Sequence, residues 1–370
     1  MCDIMENQQS GVSPHSVNLS KSVLKQMISV VHGLQQLSEI PDYSNALIDL
    51  QHNAQVSSKN YSVLMGYDFH ITDTQQVKLI EVNTNAGGLW FASQSYRPHA
   101  QQFPEKLANT LLQMFLAEYR LFCQDENALP KLIAIVDQEP EEQFLFAEMQ
   151  VFAKLFQQQG IETIIVDPKA IETTEQGLFF QGKKIDLIYN RHCDFYLNSV
   201  EMAGIAKAWQ QQSICLTPNP RVYGLLADKR RMVDWSVNGF LNEFLTQKQE
   251  KCLQQAIPDT HLLQSFSKDA LWRERKKWVF KPANSYASRG VYVGEKLTKT
   301  KYNGFESTTT LVQQRIKPLQ TVIEDGRKFK TDFRLFVYRK KMLAVSARLY
   351  QGQVTNLRTP EGGFCKVQIN

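Results

Sequence analysis

The stretch from residue 67 to residue 88, YDFHITDTQQVKLIEVNTNAGG, decides how the rest of the chain is interpreted. Two short runs rich in strand-forming residues flank the turn-prone TDTQQ, which predicts a β-hairpin with Asp68 and Glu81 on opposite arms. Residues two apart in a strand share a face, so Glu81 and Asn83 project together and Asp68 can join them. Magnesium prefers hard oxygen ligands, which makes these three side chains the candidate metal site. The alternative is three polar residues on a solvated hairpin face.

Two lysines are candidate point charges for nucleotide phosphates. Lys229 lies in LLADKRRM, and Lys281 ends the apolar run WVFK. Lys281 is followed by PANSYASRG, a small, polar, glycine-containing turn in which backbone N–H groups and the side chains of Ser285, Ser288 and Arg289 would cover a triphosphate. An ordinary surface lysine at the end of a strand is the alternative.

Two later segments add an adenine hinge and two arginines. In TTLVQQRIKP an apolar strand leads into Gln313 and Gln314, whose backbone and amides would contact an adenine edge. Arg334 in TDFRLFVY and Arg348 in VSARLYQG alternate with apolar neighbours, which directs the guanidinium groups away from the core and towards a cleft. Ordinary outward-facing arginines are the alternative.

The bulk composition is that of a folded protein with more than one lobe. Of the 370 residues, 43% are hydrophobic and 21% are charged, and this length predicts two or three lobes with a cleft between them. The formal charge of +5 is too weak to predict nucleic-acid binding, but it suits an anionic small molecule. The six cysteines are scattered, and the sequence has neither a secretion signal nor a long apolar run. We therefore expect a cytoplasmic protein without membrane or nucleic-acid partners.

The first third of the chain is expected to be helical on either side of the hairpin. Apolar residues at three- and four-residue spacing predict an amphipathic helix over 20–37, and a leading proline with similar spacing predicts another over 104–122. The polar run QDENALP at 124–130 resembles a linker. This places a boundary near Ala128.

The rest of the chain changes from alternating elements to strands. From Lys131 the order is strand, long helix over 141–159, strand, and strands ending in DLIYNR at 186–191, which predicts a parallel α/β lobe of Rossmann type without a glycine-rich fingerprint. Residues 228–231 are expected in a helical segment. From Trp278 onward the pattern predicts mainly strands.

In this order the segments resemble the ATP-grasp superfamily, and specifically its circularly permuted branch, which includes eukaryotic-type glutathione synthetase. Most ATP-grasp ligases end with an Asp followed by Glu-x-Asn, whereas here that motif lies at 68–83. Conversely, VTNLRTPEGGFCKV at 354–367 is similar to the Asn-Leu-x-x-Gly-Gly segment that precedes the motif in unpermuted relatives. The resemblance covers roughly residues 60–367. It implies an α/β fold with α+β lobes, namely a circularly permuted ATP-grasp core with a Rossmann-like substrate lobe.

The same resemblance implies that the chain is divided into three parts. Residues 1–128 comprise an N-terminal helical segment and the permuted magnesium-binding hairpin, and residues 129–216 form the Rossmann-like substrate-binding domain. Residues 217–370 form the ATP-grasp nucleotide-binding domain, with a lid at about 255–320.

The resemblance also implies a reaction. ATP phosphorylates a carboxylate, magnesium and cationic side chains hold the transferring phosphate, and an amine then attacks the acyl-phosphate. Such catalysis rests on positioning and charge neutralisation and needs no nucleophilic side chain. ATP and Mg²⁺ are therefore the expected cofactors, and a small-molecule carboxylate and an amine are the expected partners. A homodimer stays open.

Site roles carry over to the positions that match the family's motifs. The implied metal ligands are Asp68, Glu81 and Asn83. The implied ATP contacts are Lys229, Lys281, Ser285, Gln313, Gln314, Arg315 and Ile316. The implied catalytic residues are Arg334, which lies in an Asp-x-Arg strand like that of RimK-like ligases, and Arg358. The implied substrate contacts are Glu141, Arg191, Asp194, Gly362 and Gly363.

Three positions depart from the glutathione synthetase pattern. Ser285 stands where a glutamate binds metal, Asp194 replaces a tyrosine, and Gly66 stands where an arginine precedes the magnesium hairpin. Asp194 would bind an amino group, or else the RHCD stretch simply caps the Rossmann-like lobe. We expect an ATP-dependent carboxylate–amine ligase acting on an amino acid or small peptide. The alternatives are glutathione synthetase proper, a catalytically lapsed nucleotide-binding module, and a kinase that phosphorylates a hydroxyl.

Overall fold

The structure, a computed structural model, describes residues 11–283, 290–357 and 359–370. Its helices, in chain order, are α1 (Lys21–Ser38), α2 (His52–Gln55), α3 (Leu89–Tyr96), α4 (Glu105–Cys123), α5 (Phe146–Gln157), α6 (Ala203–Gln210), α7 (Pro220–Val222), α8 (Arg231–Ser236), α9 (Gln247–Ala256), α10 (Lys268–Glu274) and α11 (Lys299–Asn303).

The strands, in chain order, are β1 (Val12–Leu19), β2 (Met65–Ile71), β3 (Val77–Asn83), β4 (Leu132–Val136), β5 (Glu162–Val166), β6 (Glu172–Thr174), β7 (Gly177–Phe180), β8 (Lys183–Lys184), β9 (Leu187–Asn190), β10 (Cys215–Thr217), β11 (Thr260–Leu262), β12 (Trp278–Pro282), β13 (Tyr292–Val293), β14 (Thr310–Gln314), β15 (Leu319–Val322), β16 (Lys328–Tyr338), β17 (Lys341–Tyr350) and β18 (Gly363–Ile369).

The largest described sheet joins the two ends of the sequence. Its strand order is β1-β18-β17-β16-β2-β3, and β15 pairs with β16. The predicted hairpin is present as β2 and β3, and β2 is antiparallel to β16. The parallel strand β1 beside β18 was not predicted, because its polar residues hide the short alternation that buries Val17 and Leu19. The early hairpin therefore lies in the same sheet as strands from the last third of the chain.

Helix α1 covers one face of this sheet. It begins where the Ser20 side chain accepts a hydrogen bond from the Val23 backbone N–H, a standard N-cap. Its apolar stripe, which includes Met27, Val31 and Leu34, is buried in the core beneath the sheet. Each such side chain contributes about 1.5–3 kcal/mol through burial. The helix predicted over 20–37 is thus confirmed.

A parallel sheet follows in the middle of the chain. Its strand order is β10-β9-β4-β5, and every pairing within it is parallel. The carboxyl ends of its strands lie at one edge, where ligands commonly bind in open α/β sheets. The helix predicted over 141–159 is shorter than expected: a 3₁₀ turn occupies Pro140–Glu142, and α5 begins only at Phe146.

A smaller antiparallel sheet has the order β11-β14-β12-β13. Phe280 on β12 and Val312 on β14 lie opposite each other and are fully buried in its own apolar core. The opposite side of β12 faces the hairpin, since the Lys281 ammonium group donates to the Ile80 carbonyl over 3.2 Å. This contact brings the largest described sheet and the smaller antiparallel sheet together around one cleft.

Candidate functional site

The β2–β3 hairpin presents two hard oxygen ligands side by side. Glu81 lies opposite Asp68, and Asn83 follows two residues later on the same face. The Asn83 amide donates to Glu81 Oε1 over 3.3 Å, and both side chains are half-buried. Within the described ranges, no three His, Cys, Asp or Glu side chains are grouped to hold a metal alone. A nucleotide-bound magnesium ion needs fewer, because phosphate oxygens and water complete its octahedron.

A cleft between β3 and the smaller antiparallel sheet gathers charged residues from separated segments. We call Glu81, Lys229, Lys281 and Gln313 the lysine cleft, because all four line this one cavity. The apolar part of its lining comes from Ile80, Val82, Leu226, Ala227, Met232, Trp235 and Leu311. The lining therefore combines apolar side chains with a few convergent charged groups.

Lys281 is a buried positive charge with neutral hydrogen-bond acceptors. Its Nζ donates to Gln313 Oε1 over 2.6 Å as well as to the Ile80 carbonyl. Burial lowers the pKa of Lys281 to about 8, because desolvation disfavours the charged form. Glu81 opposes this shift and Lys229 adds to it. Lys281 is thus still protonated at neutral pH and would gain from an anionic ligand.

Lys229 lies in a turn at the edge of the cleft rather than in a helix. A π-helical turn over Tyr223–Ala227 is followed by Asp228, whose carboxylate accepts from the Arg230 backbone N–H over 2.9 Å and from the Arg230 guanidinium over 2.5 Å. The prediction of a helix through residues 228–231 is therefore wrong, because the aspartate side chain replaces the helical hydrogen bonds. Burial lowers the pKa of Lys229 as well.

The predicted adenine-hinge residues Gln314, Arg315 and Ile316 form hydrogen bonds to other parts of the protein. The backbone N–H of Gln314 donates to the Asp259 carbonyl over 2.7 Å, and that of Arg315 donates to the Lys277 carbonyl over 2.8 Å. The Ile316 carbonyl lies 3.0 Å from Nδ1 of the His70 ring. The Arg315 guanidinium forms an exposed ion pair with Glu295 over 2.6 Å. Gln313 is thus the hinge residue that lines the cleft, and adenine contacts by the other three remain predictions.

A second group of charged residues lies on the largest described sheet. We call Asp68, Asp332, Arg334 and Arg348 the arginine cluster. Arg334 lies opposite Asp68 and Arg348 lies opposite Asp332 in neighbouring strands. Arg334 donates from Nε to Asp68 Oδ1 and from Nη2 to Asp68 Oδ2, each over 2.6 Å. Arg348 donates from Nη2 to Asp68 Oδ2 over 2.8 Å and from Nε to Asp332 Oδ1 over 2.7 Å. All four residues are buried.

Arg191 lies at the carboxyl end of β9, against the loop that follows β3. Its Nη1 donates to Asn85 Oδ1, and the Asn85 amide donates back to the Arg191 carbonyl over 2.6 Å. Glu148 lies 3.7 Å from the guanidinium and accepts from the backbone N–H groups of Gly88 and Trp90 over 3.0 and 2.8 Å. Arg191 is therefore joined to three protein side chains, since Nη1 also donates to the Tyr189 hydroxyl over 3.3 Å, while its Nε is buried without a hydrogen-bond partner.

The two acidic residues predicted to contact substrate are placed differently. Glu141 is exposed on a 3₁₀ turn, and the carboxylate beside Arg191 is instead Glu148. Asp194 accepts from the Ser199 backbone N–H over 2.7 Å, so it holds the loop after β9 in shape. This contact agrees with the capping alternative for the RHCD stretch, and amino-group binding by Asp194 remains a prediction.

The predicted glycines lie where the last loop enters β18. A Cβ at Gly362 would lie 2.5 Å from the Leu349 carbonyl oxygen, and Gly363 has a φ of +101° and packs on Gly11. Close backbone contact explains these glycines without a substrate. Ser285 and Arg358, predicted as an ATP contact and a catalytic residue, lie outside the described residues.

Sequence reasoning missed three members of these clusters. Asp332 could have been found, because it lies two residues before Arg334 in the quoted Asp-x-Arg strand and therefore shares its face. Glu148 and Asn85 carry no comparable local signal. Their importance depends on tertiary contacts with Arg191, which is distant from both in sequence.

Comparison with known proteins gives structural matches alone. No protein-family model matches the chain, and no curated protein matches its sequence. A glutathione synthetase-like effector from Globodera pallida, solved in its apo form, matches with a TM-score of 0.63 and 11% identity, covering 97% of this chain and 90% of that chain. A provisionally assigned gamma-glutamylcysteine synthetase from Methylobacillus flagellatus matches with a TM-score of 0.55 and 8% identity, covering 92% and 88%.

The fold is glutathione synthetase-like. At these identities the likeness concerns the fold alone, and it covers nearly the whole chain. The resemblance inferred from the motifs is thus confirmed at the level of a mixed α/β architecture with several sheets. Among the described helices, none has the length and apolar character needed to cross a bilayer.

Proposed function

We propose that the protein is an ATP-dependent carboxylate–amine ligase with a circularly permuted ATP-grasp core. The observation that carries this proposal is the lysine cleft. Glu81, Lys229, Lys281 and Gln313 were assigned to ATP and metal from four separate parts of the sequence, and they line a single cavity. The synthetase-like fold supports a ligase at a coarse level.

The order of strands supports the permuted topology. The hairpin at residues 65–83 comes early in the sequence, yet β2 pairs with β16, which spans residues 328–338. In an unpermuted chain the Asp and Glu-x-Asn strands would follow their sheet neighbours instead of preceding them. We therefore propose that residues 1–128 contribute the metal hairpin, 129–216 the substrate domain, and 217–370 the nucleotide domain with its lid at about 255–320.

The metal site of this ligase lies on the β2–β3 hairpin, where Glu81 and Asn83 would hold a magnesium ion and Asp68 is the third ligand that the motif predicts. The oxygens of these side chains are of the hard type that magnesium prefers, and the adjacent Lys229 and Lys281 suit phosphates. A bound magnesium ion would neutralise phosphate charge there. The Ile80 carbonyl on β3 holds the Lys281 ammonium group, so β3 positions both the metal ligands and a phosphate-binding lysine.

In this ligase Lys229 and Lys281 bind the triphosphate, while Gln313 and the apolar lining hold the base. A substrate carboxylate oxygen attacks the terminal phosphorus, the bond to ADP breaks, and an acyl-phosphate forms. An amine nitrogen then attacks the carbonyl carbon, loses a proton and expels phosphate. Arg334 and Arg348 stabilise the negative charge on the transferring group, since preorganised donors act without reorganisation.

Substrates enter from the side of Arg191 and the loop after β3. The guanidinium has a buried Nε without a partner, and Asn85 links it to the metal hairpin. Arg191 therefore positions the substrate carboxylate beside the β3 loop, and Asp194 binds the amino group of the partner substrate. An amino acid or small peptide carries both groups.

The decisive experiment is a screen of amino-acid and small-peptide pairs for magnesium-dependent ADP release, followed by mass spectrometry of the product. We expect ADP release with a specific pair, a product whose mass is the sum of the two substrates less one water, and no release by Glu81→Gln. Glutathione formed from γ-glutamylcysteine and glycine would identify glutathione synthetase proper. Nucleotide binding without ADP release from any pair would instead support a lapsed nucleotide-binding module.

A further inference from the structure

The position of Asp68 on the sheet sets its partners. In the strand register, Asp68 lies between Glu81 on β3 and Arg334 on β16. Asp332 and Arg334 are two residues apart on β16 and so share this face, and Arg348 lies opposite Asp332 on β17. A carboxylate thus lies opposite a guanidinium group at two positions, Asp68–Arg334 and Asp332–Arg348, whereas Asp68 and Glu81 are opposite carboxylates. Pairs of opposite charge stabilise a sheet and fix side-chain direction.

Both carboxylate oxygens of Asp68 are occupied by arginines. Arg334 bonds them in a two-point fork at 2.6 Å, and Arg348 adds a third bond to Oδ2 at 2.8 Å. Asp68 is 2% exposed, so water does not replace these donors. Burial by itself raises the pKa of Asp68, but the two guanidinium groups hold it well below its usual range. Bidentate pairs of this kind are geometrically specific as well as strong.

Arg334 has room to bond Asp68 because the neighbouring Gly66 has no side chain. A Cβ at Gly66 would lie 2.8 Å from the Ala86 Cβ and 3.4 Å from Arg334 Nε. Arg334 Nη1 also donates to the Gly87 carbonyl over 3.0 Å, which joins the loop after the metal hairpin to the arginine cluster. The guanidinium is thus held on two sides, by Asp68 and by the loop.

This arrangement is unfavourable for a cation at Asp68. A metal ion there would face two adjacent guanidinium charges, and it would have to displace one arginine from a buried pair. Glu81, directly opposite, instead lies beside the Asn83 amide at 3.3 Å. The two carboxylates of the hairpin therefore have different surroundings although they are paired in the same ladder.

We infer that Asp68 is a positioning residue that holds Arg334 and Arg348 side by side, and that the protein ligands of the metal are Glu81 and Asn83. The inference rests on the proposed function and departs from the three-ligand site that the motif predicts. Asp332 completes the arrangement from the far side, since it fixes Arg348 over 2.7 Å and accepts from the Thr355 hydroxyl.

Electron–nuclear double resonance of bound Mn²⁺ tests this directly on the unaltered chain. The full chain is made by cell-free synthesis with ¹³C at the side-chain carboxyl carbon of either aspartate or glutamate, and is mixed with Mn²⁺ and a non-hydrolysable ATP analogue. We expect a ligand-range ¹³C coupling from the glutamate-labelled protein and none from the aspartate-labelled protein. A ligand-range coupling from aspartate overturns the inference. If the nucleotide and Mn²⁺ do not bind the protein together, the proposed function fails, and the inference fails with it.

Variants separate a positioning role from a ligand role. Asp68→Asn should weaken Mn²⁺ binding, measured by electron paramagnetic resonance with the same analogue, much less than Glu81→Gln does, because Glu81 is the charged ligand. Asp332→Asn is the matched control, because it removes the other carboxylate bound to Arg348. Asp68→Asn should resemble this control, with a lowered kcat for ADP release and a nearly unchanged KM for nucleotide. Equal losses of Mn²⁺ affinity in Asp68→Asn and Glu81→Gln would contradict the assignment.

Discussion

The arginine cluster lies within the largest described sheet, whereas the lysine cleft lies between β3 of that sheet and the smaller antiparallel sheet, and the two differ in charge balance. The arginine cluster has two aspartates for two arginines, bonded to one another over 2.6–2.8 Å. In the lysine cleft, the buried ammonium group of Lys281 is bonded to neutral acceptors, Gln313 Oε1 and the Ile80 carbonyl. Burial lowers the pKa of Lys281 to about 8, although the nearby Glu81 opposes this shift. The arginines of the cluster are thus paired with carboxylates of the protein, whereas we propose that an anionic ligand supplies the charged partner of Lys281.

The largest expected effect comes from removing the acid of the lysine cleft. Glu81→Gln should lower ADP release by about 1,000-fold or more, because it removes the charged metal ligand while it preserves size and fold. Steady-state ADP release with the substrate pair found in the screen is the measurement. Glu126→Gln is the matched control, since Glu126 is exposed and does not line the cleft. Wild-type-like turnover by Glu81→Gln would refute the site assignment.

Breaking the arginine cluster should affect folding most. Asp332→Asn leaves the Arg348 charge buried with one carboxylate fewer, which should lower the free energy of unfolding by about 3 kcal/mol. Urea denaturation followed by circular dichroism measures this change. Glu295→Gln, which breaks the exposed pair with Arg315, should change the free energy of unfolding far less, because solvent screens that pair. Equal effects would mean that the arginine cluster is not an internal structural unit.

Lys281→Met should separate binding from stability within the lysine cleft. Loss of a charge-assisted contact of about 2 kcal/mol should weaken ATP binding about 30-fold. Stability should be unchanged or slightly raised, because the variant no longer buries a poorly compensated charge. Isothermal titration and urea denaturation give the two values. A strongly destabilised Lys281→Met protein would show instead that the lysine is a structural residue.

The smallest expected effect is a pH dependence of nucleotide binding. Lys281 is protonated below its pKa of about 8 and loses its charge as the pH rises through that value, so ATP affinity should be constant near pH 7. It should fall by up to about tenfold per pH unit above the pKa, which bound phosphate itself shifts upward. Titrations from pH 7 to pH 10 measure the fall. Lys281→Arg should remove it, because arginine stays charged throughout this range.

The sequence predicts the local parts of this molecule well. The hairpin and α1 follow from residue spacing within a few turns of chain, and both are present at the expected positions. The turn at Asp228 was missed because the residues around it favour a helix. The competing hydrogen bond, which the Asp228 carboxylate accepts from the Arg230 backbone N–H, became visible only in three dimensions. Strand β1 depends on a partner at the other end of the sequence.

For the site, the sequence identified the charged residues but not how they are paired. Asp68 was grouped with Glu81 because both belong to one hairpin, and this local grouping is correct. Its bonds to Arg334 and Arg348 bridge more than 260 residues of chain, and no spacing rule predicts them. In the same way, the Arg191 partners Asn85 and Glu148 come from separate elements. Charge balance within each cluster is therefore a property of the fold.

A crystal structure of the full chain with magnesium and a non-hydrolysable ATP analogue would show whether the lysine cleft binds the nucleotide. We expect the triphosphate between Lys229 and Lys281, the metal on Glu81 and Asn83, and the base against Gln313, with the arginine cluster intact. A nucleotide bound at another place, or a lysine cleft that stays without nucleotide in crystals where the analogue saturates the protein in solution, would contradict this expectation.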